Sequence, residues 1–90
     1  MVLGCDATGS RQGGYVYGAA KVVWVVGINK IVADLDTAFR RLWEHCKPLE
    51  DARMKRMGAS GTFVGKTVLY EKEAIPDRIV TILIAEALGY

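Results

Sequence analysis

Three residues of this 90-residue chain are placed to grip a small anion: Asn29 and Lys30, directly behind one apolar run, and Glu86, directly behind another. An amide and an ammonium can take a carboxylate or phosphate, and open α/β sheets place ligands outside the carboxyl ends of their strands. The same Asn-Lys pair also suits a plain turn, because asparagine bonds its own backbone readily. No residue in the sequence pairs with Glu86, and no catalytic residue is assigned. The stretch Ser60-Gly61-Thr62-Phe63-Val64-Gly65-Lys66-Thr67 resembles a phosphate-binding loop, but serine stands where that motif needs its first glycine. It also follows a helical pattern and precedes a strand pattern, the reverse of what the motif requires. His45 and Cys46 are neighbours, and adjacent helical positions point about 100° apart, so they do not form a metal pair or a nucleophile and base by themselves. Cys46 suits a small buried hydrophobe and His45 an exposed residue near a helix C-terminus. Arg53, Lys55, Arg56 and Lys66 form a basic cluster, but Glu50 and Asp51 one turn earlier make a solvated, ion-paired helix its simplest reading. No metal and no cofactor is expected.

The elements that must position these residues follow from two hydrophobic periods. Val22-Val23-Trp24-Val25-Val26 is β-branched or aromatic throughout and closed by Gly27, the pattern of a strand covered on both faces and central in a sheet. From Asp34 the period changes: Leu35, Ala38, Phe39, Leu42, Trp43 and Cys46 lie on one stripe of a helix, with Asp34 as its N-cap accepting from an amide near Thr37. Pro48 should kink or stop that helix and opens a second one over Leu49 to Met57, ended by Gly58. Lys66 to Glu73 alternates as a strand with one wetter face, and Arg78 to Ala85 reads as a central strand beside Lys21 to Val26. Residues Gly4 to Gly14 read as a glycine-rich loop or ragged edge, flexible over 1–14. Tyr15-Val16-Tyr17 fits either a short strand or a single helical turn. The fold expected is a single α/β domain: a small mixed sheet with a βαββ core and a kinked helix packed on it.

Composition bounds the partners. The chain is 51% hydrophobic and 24% charged, apolar for its size, which favours burial of some surface in a homo-oligomer. A formal charge of +2 creates little field for nucleic acid or an anionic membrane. No run approaches the length of a membrane helix, and neither a signal peptide nor a disulfide framework is evident, so a reduced, cytoplasmic protein is expected.

Four stretches resemble the C-terminal part of the lactate-utilisation (LUD) domain family. Lys21 to Val32 is similar to its strand ending in G-x-N-K-I-V, Asp34 to Arg41 to its helix, Lys47-Pro48-Leu49 to Arg53 to its P-L-N-A-x-R, and Gly65 to Tyr90 to its paired strands ending in L-G-[FY]. Gly4-Cys5-Asp6-Ala7 is similar to the segment that opens this region. The resemblance implies an α/β fold like part of the sugar-isomerase and CoA-transferase superfamily, and an association with bacterial lactate oxidation. Members of that family are much longer, so the resemblance implies a shortened domain, and Met57 to Gly65 lacks the cysteine cluster that several of them carry. The function expected is therefore a non-catalytic domain that self-associates through an apolar sheet edge or the Trp24 and Trp43 region. The alternative is a small-anion or enzymatic site at Asn29, Lys30 and Glu86.

Overall fold

The period switch at Asp34 organises the chain in the computed structural model, which describes residues 1–90. The elements in order are strand β1 (Val2–Asp6), a one-turn helix α1 (Ser10–Gly13) widening into a π turn (Gly14–Gly18), strand β2 (Val22–Gly27), and a 3₁₀ turn (Ile28–Lys30). There follow helix α2 (Leu35–Arg41), a π-helical stretch (Leu42–Cys46), helix α3 (Lys47–Arg56), and strands β3 (Lys66–Tyr70) and β4 (Ile79–Ile84). The α/β class expected from the two periods is the class found.

Asp34 is extended and its carboxylate accepts from the Thr37 amide at 2.7 Å, so the cap stands where the sequence puts it. The helix then passes Pro48 without stopping. Proline has no N–H for the carbonyl four residues back, and its ring crowds that carbonyl. Here the preceding turn, Leu42 to Cys46, opens to π geometry, and Pro48 falls in the first turn of α3. Gly58, at φ 89°, ends α3, with its amide donating to the Lys55 carbonyl at 3.1 Å.

The strands fall into two small sheets. β2 and β4 pair in parallel with Val22 opposite Ile79 and Gly27 opposite Ile84, joined by the helical crossover. β1 and β3 pair antiparallel, Val2 opposite Tyr70 and Asp6 opposite Lys66. Parallel and antiparallel pairing are thus both present, but in separate sheets rather than one. β1 and α1 correct the expectation of a loop at Gly4 to Gly14: Gly4 to Asp6 pair with β3, sixty or more residues away in sequence, and no local pattern announces such a partner. Of the two readings for Tyr15 to Tyr17, the helical turn is the one formed.

The expectation that β2 is central and covered on both faces is also corrected. It has one neighbour, β4, and Val23 and Val25 are 52% and 59% exposed. On the opposite face Trp24 packs edge-on against Tyr15 and Tyr70, centroids 5.5 and 5.2 Å away, which joins the two sheets. Of the helix stripe, Leu42 is buried, whereas Leu35, Phe39 and Trp43 remain largely exposed.

Polar groups hold much of what is buried. Val22 and Leu42 are the buried apolar side chains, and beside them stand Asp6, Gln12 and Arg78. The Asp6 carboxylate accepts from the Arg11 amide at 2.9 Å and from its guanidinium at 2.7 Å, which holds its carboxyl below the usual range. Gln12 accepts a short hydrogen bond from the Tyr70 hydroxyl. Arg78, 4% exposed, donates to the carbonyls of Gly14 (2.9 Å), Tyr15 (3.0 Å) and Ala19 (2.8 Å) and to Glu73 (2.8 Å). The Gly14 carbonyl also accepts from the Ala19 amide at 3.1 Å, so Arg78 adds a second donor there and ties the π turn and its C-cap Ala19 to the start of β4. The Arg78 carbonyl in turn accepts from the Val22 amide at 2.8 Å, the first rung between β4 and β2.

Replacing Arg78 by methionine removes every one of these donors and leaves Glu73 without its partner. Breaking a buried charge network costs about 3–5 kcal/mol, so urea denaturation of Arg78→Met should lose most of the cooperative transition. A loss below about 1 kcal/mol, the worth of an exposed pair, would contradict the role given to this side chain.

Candidate functional site

The C-terminal ends of β2 and β4 lie side by side, and Asn29, Lys30 and Glu86 follow them in the chain. Gly27 closes β2 under tight constraint: a Cβ there would lie 2.6 Å from the Leu88 amide nitrogen and 2.8 Å from the Glu86 carbonyl oxygen. Only glycine lets the segment after β4 fold back over the strand end. The 3₁₀ turn then aims Asn29 at that segment. Its Nδ2 donates to the Gly89 carbonyl and its Oδ1 accepts from the Leu88 amide, each at 3.1 Å. Both ends of the amide are thereby engaged by the chain's own backbone. Lys30 and Glu86 are exposed and neither enters an ion pair.

Beyond Gly89 the tail reaches the helices. Arg41 donates to the Tyr90 carbonyl oxygen at 2.8 Å, and the Cys46 thiol donates to the same oxygen at 2.7 Å. The Arg41 guanidinium also lies 3.0 Å from the Cys46 sulfur. The Tyr90 hydroxyl donates to Glu50, which is bonded by Arg53 at 2.5 and 2.8 Å. Arg53, and after it the Tyr90 hydroxyl, pull the Glu50 carboxyl down to about 2, and donation to Glu50 raises the Tyr90 phenol. Arg41, Cys46 and Glu50 carried no special signal in the sequence, because their common partner is Tyr90, forty or more residues away: its carbonyl for Arg41 and Cys46, its hydroxyl for Glu50.

Elsewhere the residues with chemical promise are spread apart. Ser60 to Thr67 runs from α3 to β3, with the Thr62 amide donating to Asp51 at 2.6 Å and the Gly65 amide donating to the Asp6 carbonyl at 3.0 Å. His45 lies in a shallow groove along α2 with Val32, Thr37, Arg40, Arg41 and Glu44, and no three His, Cys, Asp or Glu side chains converge as a metal site would require. Burial pushes the Cys5 thiol up, and Cys46 and Asp6 add to this, the opposite of what activates a nucleophile. Arg53 is taken by Glu50, and Lys47 by Asp51 at 2.5 Å. No helix is long and apolar enough to cross a membrane.

The LUD domain family model matches residues 1–84. The chain belongs to the LUD domain family. This family is associated with lactate-utilisation proteins. Searches among curated proteins and among solved structures returned no match. The family match spans β1 through β4, so the N-terminal strand that the sequence left as a loop belongs to the LUD region as much as the parallel pair does.

Acid should release the tail before it unfolds the domain. A depressed carboxyl contributes stability that is whole above its unfolded pKa, about 4.3, and is lost as pH falls through its folded value, here about 2 for Glu50. The protection of the Leu88 amide, its exchange relative to that of a free amide at the same pH, should therefore fall between those limits while β2 and β4 stay protected. In Asn29→Ala the Leu88 amide should exchange faster at neutral pH. Unchanged tail exchange in both experiments would refute the fastening described.

Proposed function

We propose that this LUD domain acts through assembly rather than chemistry, as a self-associating, non-catalytic module serving bacterial lactate utilisation. The observation that carries the reading is surface area. A compact monomer of 9.9 kDa presents about 5,200 Å², and this chain presents 6345 Å². The surplus of roughly 1,100 Å² exceeds the ~800 Å² that each partner buries in a standard interface. Its radius of gyration, 13.9 Å, likewise exceeds the ~12 Å of a compact 90-residue domain. Much of the exposed surface is apolar and continuous along the parallel pair: Val23, Val25, Val80 and Ile82 share one open face. Trp24 is engaged between its two tyrosines, whereas Trp43 faces outward.

The competing reading is an anionic small molecule held by Asn29, Lys30 and Glu86. What favours it is that all three follow the carboxyl ends of two paired strands. Such a ligand would have to displace the tail from Asn29, so a thermal-shift screen with lactate, sugar phosphates, CoA and nucleotides would raise the melting temperature of the intact chain only if binding outweighs that loss.

Sedimentation equilibrium over a wide concentration range tests the assembly reading. The expected result is a mass above 9.9 kDa that falls on dilution. A single-chain mass at every concentration would overturn it.

A further inference from the structure

We propose that the outer edge of β4 pairs antiparallel with β4 of a second copy of this chain, merging two parallel pairs into one four-stranded sheet. The inference rests on the self-association proposed above and assigns its seam.

The phase of the β2–β4 ladder decides which backbone groups are free. The Val22 amide donates to the Arg78 carbonyl, and Val22 stands opposite Ile79. In a parallel ladder alternate residues turn both N–H and C=O toward the neighbouring strand. Val80, Ile82 and Ile84 therefore face β2, and Ile79, Thr81 and Leu83 present their amides and carbonyls outward. β4 has no second neighbour, and none of the hydrogen bonds outside the regular elements reaches those groups.

This edge carries none of the features that keep strands apart. Between Ile79 and Ile84 there is no charged residue and no proline. β4 is also the open side of the pair. Val80 and Ile82 are exposed on one face and Thr81 and Leu83 on the other, whereas β2 is covered on its Trp24 face. A lone two-stranded sheet is marginal, and parallel sheets ordinarily have both faces and further strands covered.

A second copy fits this edge for a geometric reason. Two identical strands related by a two-fold axis meet antiparallel, and an axis normal to the sheet keeps each residue on its own face. Val80 and Ile82 of both copies then join Val23 and Val25 of both in one apolar surface, with no like charges opposed along the seam. The single chain's surplus of roughly 1,100 Å² exceeds the ~800 Å² per partner of a standard interface, so a two-fold contact that includes this seam has area to bury.

Thr81→Pro tests the seam. It removes an amide hydrogen that β2 does not use, at an edge position where proline is tolerated. The expected result is loss of the higher-mass species in sedimentation with a circular dichroism spectrum like that of the unaltered chain, while Val23→Glu, on the open face of β2, still associates. Association that survives Thr81→Pro, or that Val23→Glu alone abolishes, would overturn the edge assignment and leave self-association standing. A single-chain mass for the unaltered protein would remove the assembly reading itself. Should Thr81→Pro not fold, residue-resolved exchange on the unaltered, associated chain decides. Slowed exchange at Thr81 and Leu83 supports the seam, and exchange at the rate of free amides overturns it.

Discussion

A single buried guanidinium sets the geometry on which the parallel pair depends. Arg78 donates to carbonyls at both ends of the π turn, pairs with Glu73, and through its own carbonyl receives the first rung from β2. A charge taken out of water must find partners for nearly all its donors or cost several kcal/mol. That requirement fixes where the chain re-enters the sheet after Pro76, and with it the register of Val22 on Ile79. In a domain with so little buried hydrocarbon, a polar clamp of this kind does work that an apolar core does elsewhere.

The same scarcity explains the open surfaces. Only two apolar side chains are buried, and the two sheets meet through Trp24 rather than through a shared layer of aliphatic residues. Val23, Val25, Val80 and Ile82 on one face of the parallel pair, and the outer edge of β4, are left to water in the single chain. Membership of the LUD family, established over residues 1–84, is therefore compatible with a β2 exposed on one broad side; the exposure bears on what completes the sheet. At the other end of the strands the tail folds over the position where α/β proteins commonly hold ligands, and Asn29 is spent on its backbone.

What the sequence made legible was local. Asp34 announces its helix because a cap is decided within three residues, and the valine run announces β2 because its residue types suit a strand wherever it pairs. Gly58 ends α3 for an equally local reason, its positive φ. Long-range partners were not legible. β1 holds a glycine and a cysteine mid-strand and becomes a strand through β3, and Arg78 looked like an ordinary first residue of a strand although four acceptors converge on it. Coverage of β2 was inferred from its lack of polar residues, which is equally the signature of a surface that pairs with another chain. At the candidate site, Asn29, Lys30 and Glu86 follow β2 and β4 in the chain, but the tail that occupies Asn29 is fixed by Arg41, Cys46 and Glu50, on helices the sequence did not connect to it.

The central claim is that the open parallel pair is completed by another copy of the same chain. Isotope-filtered NMR on a mixture of labelled and unlabelled protein tests it most directly, because only contacts between chains survive the filter. The account predicts cross-peaks between the methyl groups of Val80 and Ile82 in one copy and β4 of another. A spectrum empty of intermolecular cross-peaks at concentrations where the protein stays folded would contradict it.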